Sequence, residues 1–186
     1  MDRRKARTEK AVQAAFCSLL ETKRYSQITV QDVLDEADVG RSTFYAHYRG
    51  KEDLLARLVD EICAHATSPV APEEEHDFTE RTDDASMVEH LLRHIQERKS
   101  GVRALVVSDG AGSFERLLRE SLAQQADRAL PAALDGAAGS MDRRFLVEHI
   151  AGSLVDMIIR WARTAFAADP RLLAESYIAL TKPLFR

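Results

Sequence analysis

Residues 28–51 have the sequence ITVQDVLDEADVGRSTFYAHYRGK, which predicts two short helices joined by a tight turn. Thr29 can cap the first helix, and Asp32 stands three residues later, where a capping-box partner belongs. Apolar residues then recur at helical spacing until residues 38–40, where an Asp tolerates a left-handed backbone and a Gly can cap the next helix. We therefore expect a helix-turn-helix in which Val39 is the apolar plug between the two helices.

The second helix of this stretch, residues 41–48, has an unusual predicted surface. Phe44 can point inward with Val39, which leaves for solvent or a partner the side chains of Arg41, Ser42, Thr43, Tyr45, His47 and Tyr48. The helix contains an arginine, a histidine and two tyrosines but no acidic residue. Because Arg pairs with guanine edges and hydroxyl groups bind phosphates or base edges, this face suits double-stranded DNA.

Individual contacts with DNA can be assigned from these residue types. We expect base-edge contacts from Arg41, Ser42 and Thr43. We expect phosphate and register contacts from Thr29, Tyr45, His47, Tyr48 and Lys51, whereas Gln31 could serve either purpose. Lys51 begins the following helix, where its ammonium and the N-terminal amides could share one phosphate. For each of these residues the alternative is an ordinary exposed polar side chain.

At these residues the sequence resembles a known family. Residues 29–55 are similar to the helix-turn-helix of the tetracycline-repressor (TetR) family, in the Thr-capped helix, Ala37-x-Val39, the 41–48 block and Lys-Glu-Asp-Leu-Leu at 51–55. Many members carry Gly and Ser where this chain has Asp38 and Gly40. The resemblance implies a dimeric, ligand-responsive transcriptional regulator, most often a repressor, which a small-molecule inducer releases from a roughly palindromic operator.

Composition is consistent with a globular protein of the cytoplasm. The chain has 186 residues, is 45% hydrophobic, and contains two cysteines, which predicts neither a disulfide framework nor a zinc site. We find neither a signal peptide nor an apolar run of the roughly 18 residues that a membrane span needs, so no membrane association is expected. The net charge is −4, but residues 1–51 hold ten basic and seven acidic residues, which suits local phosphate contact.

The remaining pattern predicts an all-α fold with two parts. Residues 1–51 form a three-helix DNA-binding head, and residues 52–186 form a helical body that contains an acidic loop at 67–84. In the body we expect a helix from Ser86 that ends at Ser100-Gly101, a helix over 113–130, a long helix from Ser140, and a last helix capped by Asp169-Pro170. The resemblance implies that the last two helices form the homodimer interface and that the body binds the inducer. Alternatively, the apolar stripes of those helices are internal core.

Other function classes have weaker support in the sequence. His90 and His94 have metal-ligand spacing, but we expect both to face water at the edge of the apolar face, so no metal or other cofactor is predicted. We find no catalytic motif and predict that the protein is not an enzyme. The alternatives left open are a small metal-dependent enzyme with converging histidines and an architectural DNA binder without sequence specificity. The residues that would bind an inducer cannot be assigned.

Overall fold

Nine α-helices make up the described part of the chain, which the computed structural model gives as residues 3–67, 84–129 and 142–181. They are α1 Arg3–Thr22, α2 Val30–Ala37, α3 Arg41–His47, α4 Lys51–Thr67, α5 Asp84–Glu97, α6 Lys99–Val106, α7 Ala111–Ala129, α8 Arg143–Arg163 and α9 Pro170–Thr181, with a 3-10 turn at Tyr25–Gln27. These three ranges contain no strand, so the all-α prediction is confirmed.

The boundaries in the body differ in part from those expected. The prediction that Ser100-Gly101 ends a helix is wrong, because α5 ends at Glu97 and both residues lie inside α6. Burial of Gly101 and its apolar neighbours outweighs the cost of a glycine in a helix, about 1 kcal/mol. Most of the predicted acidic loop and the expected helix start at Ser140 lie outside the described residues. The division of the chain into 1–51 and 52–186 stays a prediction.

The turn between α2 and α3 forms as its sequence predicts. The Thr29 hydroxyl accepts a hydrogen bond from the Asp32 amide at 3.1 Å, and the Asp32 carboxylate accepts one from the Thr29 amide at 2.9 Å. Asp38 ends α2 in the left-handed region with φ of 50°, and Gly40 is the N-cap of α3. Val39 is half-buried against the core. The helix-turn-helix is therefore held by a capping box and one left-handed residue.

The capping box makes the stability of this turn depend on pH. Hydrogen bonds from Lys23 and Thr29 lower the pKa of Asp32 from 3.8 to about 2. We expect Asp32→Asn to be less stable than the wild type at neutral pH, where the carboxylate is ionised. The difference should shrink as the pH falls below about 4 and through about 2, because the wild type then loses its charge as well. Urea denaturation at neutral and acidic pH measures this, and a pH-independent difference would contradict it.

The helices before and after α4 pack into one continuous hydrophobic core. Helix α1 packs on α2 and α6, α4 packs on α5 and α7, α8 packs on α6 and α7, and α9 packs on α5. We call α1–α3 the head and α5–α9 the body. Helix α4 connects the two along the chain, while α1 contacts α6 directly. The packing of α1 on α6 is therefore one part of the junction between the head and the body.

A second part of this junction lies at the 3-10 turn. The Ser26 amide donates to the Asp109 carboxylate at 3.3 Å, and Lys51 Nζ donates to the Tyr25 carbonyl at 2.8 Å. Gly110, between α6 and α7, is buried so closely against Tyr25 that a Cβ there would lie 2.9 Å from the Tyr25 Cβ. The turn that leads into α2 and α3 is thus tied to both α4 and the body.

Polar contacts connect α5 and α9. Buried Glu89 accepts hydrogen bonds from Arg93 at 2.6 Å and from Arg171 at 3.1 Å. The predicted start of the last helix is confirmed, because Pro170 is its first residue and the Asp169 carboxylate accepts from the Arg171 amide at 2.9 Å.

No helix within the described residues is both long and apolar enough to cross a bilayer.

The histidine pair on α5 does not lie where we expected. His94 is 7% exposed and His90 is half-buried, so the prediction that both face water is wrong. Their Nε2 atoms lie 2.7 Å apart, and His94 Nδ1 lies 3.0 Å from Glu97. One proton between the rings and one toward Glu97 explain this arrangement. In the three described ranges, no group of three or more His, Cys, Asp or Glu could hold a metal ion.

Candidate nucleic-acid interface

Helix α3 presents a polar face without negative charge. Four of its predicted DNA-contacting residues are exposed: Arg41, Ser42, Thr43 and Tyr45. Phe44 is fully buried and packs the opposite side of the helix into the core. Because Phe44 anchors one side of this short helix, the backbone that carries the side chains on its other side is held in place. Their chemistry matches that of base edges and phosphates.

Arg41 is oriented by a residue of the preceding helix. Its Nη2 donates to the Gln31 Oε1 at 2.9 Å, and the Gln31 Nε2 donates to the Asp35 carboxylate at 2.7 Å. This chain of hydrogen bonds fixes the plane of the guanidinium while leaving other N–H groups to donate to a guanine edge. Gln31 therefore has a positioning contact in the structure, and its own contact with DNA stays a prediction.

The two tyrosines of α3 differ in their environment. Tyr45 is 50% exposed, whereas Tyr48 is 2% exposed, so the prediction that Tyr48 faces solvent is wrong. The helix ends at His47, and the extended backbone of Tyr48, with φ of −131°, turns its ring toward Phe44 at a centroid distance of 5.3 Å. Burial raises the pKa of Tyr48 to about 12. Tyr48 is a core residue of the head.

This difference in exposure predicts that a Tyr→Phe substitution affects DNA binding at position 45 but not at position 48. We expect Tyr45→Phe to weaken binding to a cognate DNA duplex by roughly three- to tenfold, because it removes one exposed hydroxyl hydrogen bond. Tyr48→Phe should leave the affinity unchanged, since the Tyr48 side chain is buried in the core of the head. Titration of a fluorescent duplex at fixed salt measures both variants. Equal losses in the two variants would contradict this assignment.

The other predicted phosphate contacts have internal partners. The Thr29 hydroxyl belongs to the capping box, and the Lys51 ammonium binds the Tyr25 carbonyl and lies 4.5 Å from the centroid of the Tyr25 ring. The Lys51 ammonium has further N–H groups that can donate to a phosphate, whereas the single O–H of Thr29 is donated to Asp32 and would have to leave this partner to reach one. Both phosphate contacts stay predictions. Positive charge is also available on α1, where Lys5, Arg7 and Lys10 are exposed.

His47 has a partner that the sequence did not indicate. Its Nδ1 lies 3.2 Å from Glu9 Oε1, and the imidazole is mostly buried. The two residues are 38 positions apart on different helices, so no local spacing could have revealed the contact.

The buried Cys63 is a core residue, and burial raises its pKa to about 11, which makes its thiol a poor nucleophile.

Known proteins share this sequence and fold. Residues 14–58 match the model of bacterial regulatory proteins of the tetR family, and residues 85–182 match the model of a transcriptional regulator C-terminal region. Over 79 residues, which are 40% of this chain and 21% of the relative, the chain is 39% identical to the HTH-type transcriptional regulator YxbF of Bacillus subtilis (strain 168).

Two further comparisons are informative. Over 53 residues, which are 28% of this chain and 28% of the relative, the chain is 34% identical to the dhaKLM operon transcriptional activator DhaS of Lactococcus lactis subsp. lactis (strain IL1403). These alignments span only 21% and 28% of the length of the two curated relatives. The crystal structure of a TetR transcriptional regulator from Streptococcus agalactiae 2603V has a TM-score of 0.58 and 26% identity, covering 97% of this chain and 96% of that one.

The matched models cover the helix-turn-helix and nearly all of the body. The all-helical structure, with its exposed and acid-free α3, agrees with both matches. The protein belongs to the TetR family of DNA-binding transcriptional regulators.

Proposed function

We propose that the chain acts as a homodimer that binds a roughly palindromic operator through α3, and that a small molecule bound in the body releases it. The exposed set on α3, in which Gln31 orients Arg41 next to Ser42 and Thr43, carries this proposal. Two copies related by a two-fold axis would place their α3 helices in successive major grooves, about one helical turn apart. A bacterial operator lies in the cytoplasm, which is where we expect the protein.

Exposed apolar residues on the last two helices support the dimer. Leu172 is 63% exposed and Leu180 is 79% exposed on α9, and Phe145 is exposed at the start of α8. Both helices already bury their inner faces, α8 against α6 and α7 and α9 against α5. Large apolar side chains on the outer faces of neighbouring elements suit a self-complementary contact between copies.

The dimer can be tested with a matched pair of substitutions. Leu172→Glu places a charge on α9, and Val107→Glu places the same charge at an equally exposed position, 63%, at the end of α6. We expect the Leu172 variant to sediment as a monomer or to dissociate at higher concentration, while the Val107 variant keeps the wild-type mass. If both variants remain dimers, the contact lies elsewhere; if the wild type is monomeric, the proposed dimer is wrong.

The candidate inducer site lies where the head meets the body. A small apolar cavity is lined by residues of α1, α4, α6 and α7 and by Arg98, namely Cys17, Leu20, Leu58, Val59, Ile62, Arg98, Gly101, Val102, Leu105 and Phe114. It has room for about one water molecule. An apolar ligand would have to separate α1 and α4 from α6 and α7. Such a ligand would favour a different head position, which is how it could weaken operator binding.

Sequence-specific DNA binding can be tested with the DNA upstream of the gene that encodes this protein. Purified protein should protect an inverted repeat there from nuclease digestion, and at fixed salt it should bind this duplex at least a hundredfold more tightly than a scrambled one. Equal affinity for both duplexes would favour an architectural DNA binder. A stoichiometric, tightly bound metal ion in the purified protein would support the enzyme alternative.

The direction of regulation has two candidates. If the operator overlaps a promoter, the bound protein would block transcription and act as a repressor. The similarity to DhaS, which is described as an activator, favours activation instead. A reporter fused to the upstream region separates them: deleting the regulator gene raises expression if the protein represses and lowers it if the protein activates.

A further inference from the structure

Glu9 contacts the end of the helix that we propose to bind DNA. Its Oε1 lies 3.2 Å from Nδ1 of His47, the last residue of α3. A carboxylate has only acceptors, so Nδ1 must carry the proton of this hydrogen bond. The contact fixes the orientation of the imidazole and leaves Nε2 as the nitrogen available to a partner.

This geometry restricts what His47 can bind. A neutral imidazole with its proton on Nδ1 has only a lone pair on Nε2, and phosphate oxygens are acceptors as well. His47 can therefore donate to a DNA phosphate only after Nε2 takes up a second proton. The resulting imidazolium would lie between two negative groups, the Glu9 carboxylate and the phosphate.

Charged residues of α4 act on Tyr48, the residue next to His47. The ring centroid of Tyr48 lies 6.2 Å from that of His47. The pKa of Tyr48 is affected by the charges of Glu9, Asp53, Arg57 and Glu61. The Asp53 carboxylate is engaged by the Arg49 amide at 3.1 Å and by the Arg57 guanidinium at 3.4 Å, and Glu61 accepts from Gln13 at 2.6 Å. Glu9 is thus the carboxylate placed directly on the His47 ring.

We propose that Glu9 is a positioning residue for operator binding, which orients His47 and allows it to become an imidazolium when a phosphate faces Nε2. Binding to DNA is then coupled to the uptake of about one proton per subunit, so that affinity rises as the pH falls through the range where histidine side chains in general titrate, about 5 to 8. This inference rests on the proposed function, because it requires α3 to lie on DNA.

The test measures the affinity of the full-length protein for a duplex that it has selected from a random pool, at constant salt across this pH range. The variants are Glu9→Gln, which keeps an acceptor but removes the charge, and His47→Gln. Glu21→Gln, which removes the same charge from an exposed position near the end of α1, is the matched control. Thermal unfolding of each variant checks that the head remains folded.

With one proton taken up by each subunit of the dimer, we expect the affinity of the wild type to rise by up to about a hundredfold for each unit by which the pH falls, at the steepest point, and His47→Gln to lose this dependence. Glu9→Gln should bind about three- to tenfold more weakly at pH values near 6.5 and should need a lower pH for the same affinity, while Glu21→Gln matches the wild type. In the His47→Gln background, Glu9→Gln should have no further effect.

Two results would overturn this inference while leaving the proposed function intact. One is specific binding by the wild type whose affinity does not change with pH. The other is a loss of affinity in Glu9→Gln that is the same at every pH and persists in the His47→Gln background. Selection of no duplex by the wild type would instead reject the proposed function, and the inference with it.

Discussion

Gly110→Ala is expected to destabilise the protein by about 1–3 kcal/mol, because the junction between head and body has no room for a methyl group. The new Cβ would lie 2.9 Å from the Tyr25 Cβ and 3.0 Å from both the Tyr25 Cγ and the Leu105 Cδ2. Tyr25 cannot move aside freely, since Lys51 and Asp109 hold the 3-10 turn. The turn must shift, and it leads directly into α2 and α3. We therefore expect weaker operator binding in addition to lower stability.

Gly112→Ala is the matched control for this prediction. Gly112 lies in the first turn of α7, and a Cβ there would meet no atom within 4 Å. Alanine in a helix is favoured over glycine by roughly 0.5–1 kcal/mol, so this variant should be as stable as the wild type or slightly more stable. Urea denaturation measures the free energy of unfolding of both variants. Equal stabilities for Gly110→Ala and Gly112→Ala would mean that the junction accommodates the methyl group.

Arg41→Ala is expected to weaken binding to the cognate operator by about 1–3 kcal/mol, which corresponds to a loss of roughly five- to 150-fold in affinity, and to relax the base preference at one position. The guanidinium is exposed and is oriented by Gln31, so its loss removes a preorganised group while no buried partner is left without a hydrogen bond. Binding to random DNA should change much less. Selection of preferred sites by wild type and variant, followed by titration at one salt concentration, measures affinity and specificity separately.

The control for the arginine is Arg128→Ala, because Arg128 is an exposed arginine in the last turn of α7, in the body. It removes the same charge and should leave operator affinity within about twofold of the wild type, since distant exposed charges are largely screened. If Arg128→Ala weakens binding as much as Arg41→Ala, net charge rather than base contact explains the effect. If Arg41→Ala binds its operator unchanged, Arg41 does not read a base.

The prediction from sequence was most accurate where the deciding interactions are local. The capping box joins residues three apart, and the left-handed Asp38 and the N-cap Gly40 follow within the same turn. Asp169-Pro170 predicted the start of α9 for the same reason. Tyr48 was misplaced because the expected helix was extended one residue too far. One extended residue at a helix end is enough to turn a side chain from solvent into the core.

The sequence by itself determined the helix-turn-helix, the all-α class and the exposed residues Arg41, Ser42, Thr43 and Tyr45, since short-range backbone chemistry and helical spacing decide these features. Only the tertiary structure decided the contacts of Glu9 with His47 and of Ser26 with Asp109, which join residues 38 and 83 positions apart. Such pairs meet because apolar faces pack α1 against both α2 and α6. Burial of those faces depends on the whole chain, so the orientation of the DNA-binding helix is a property of the folded core.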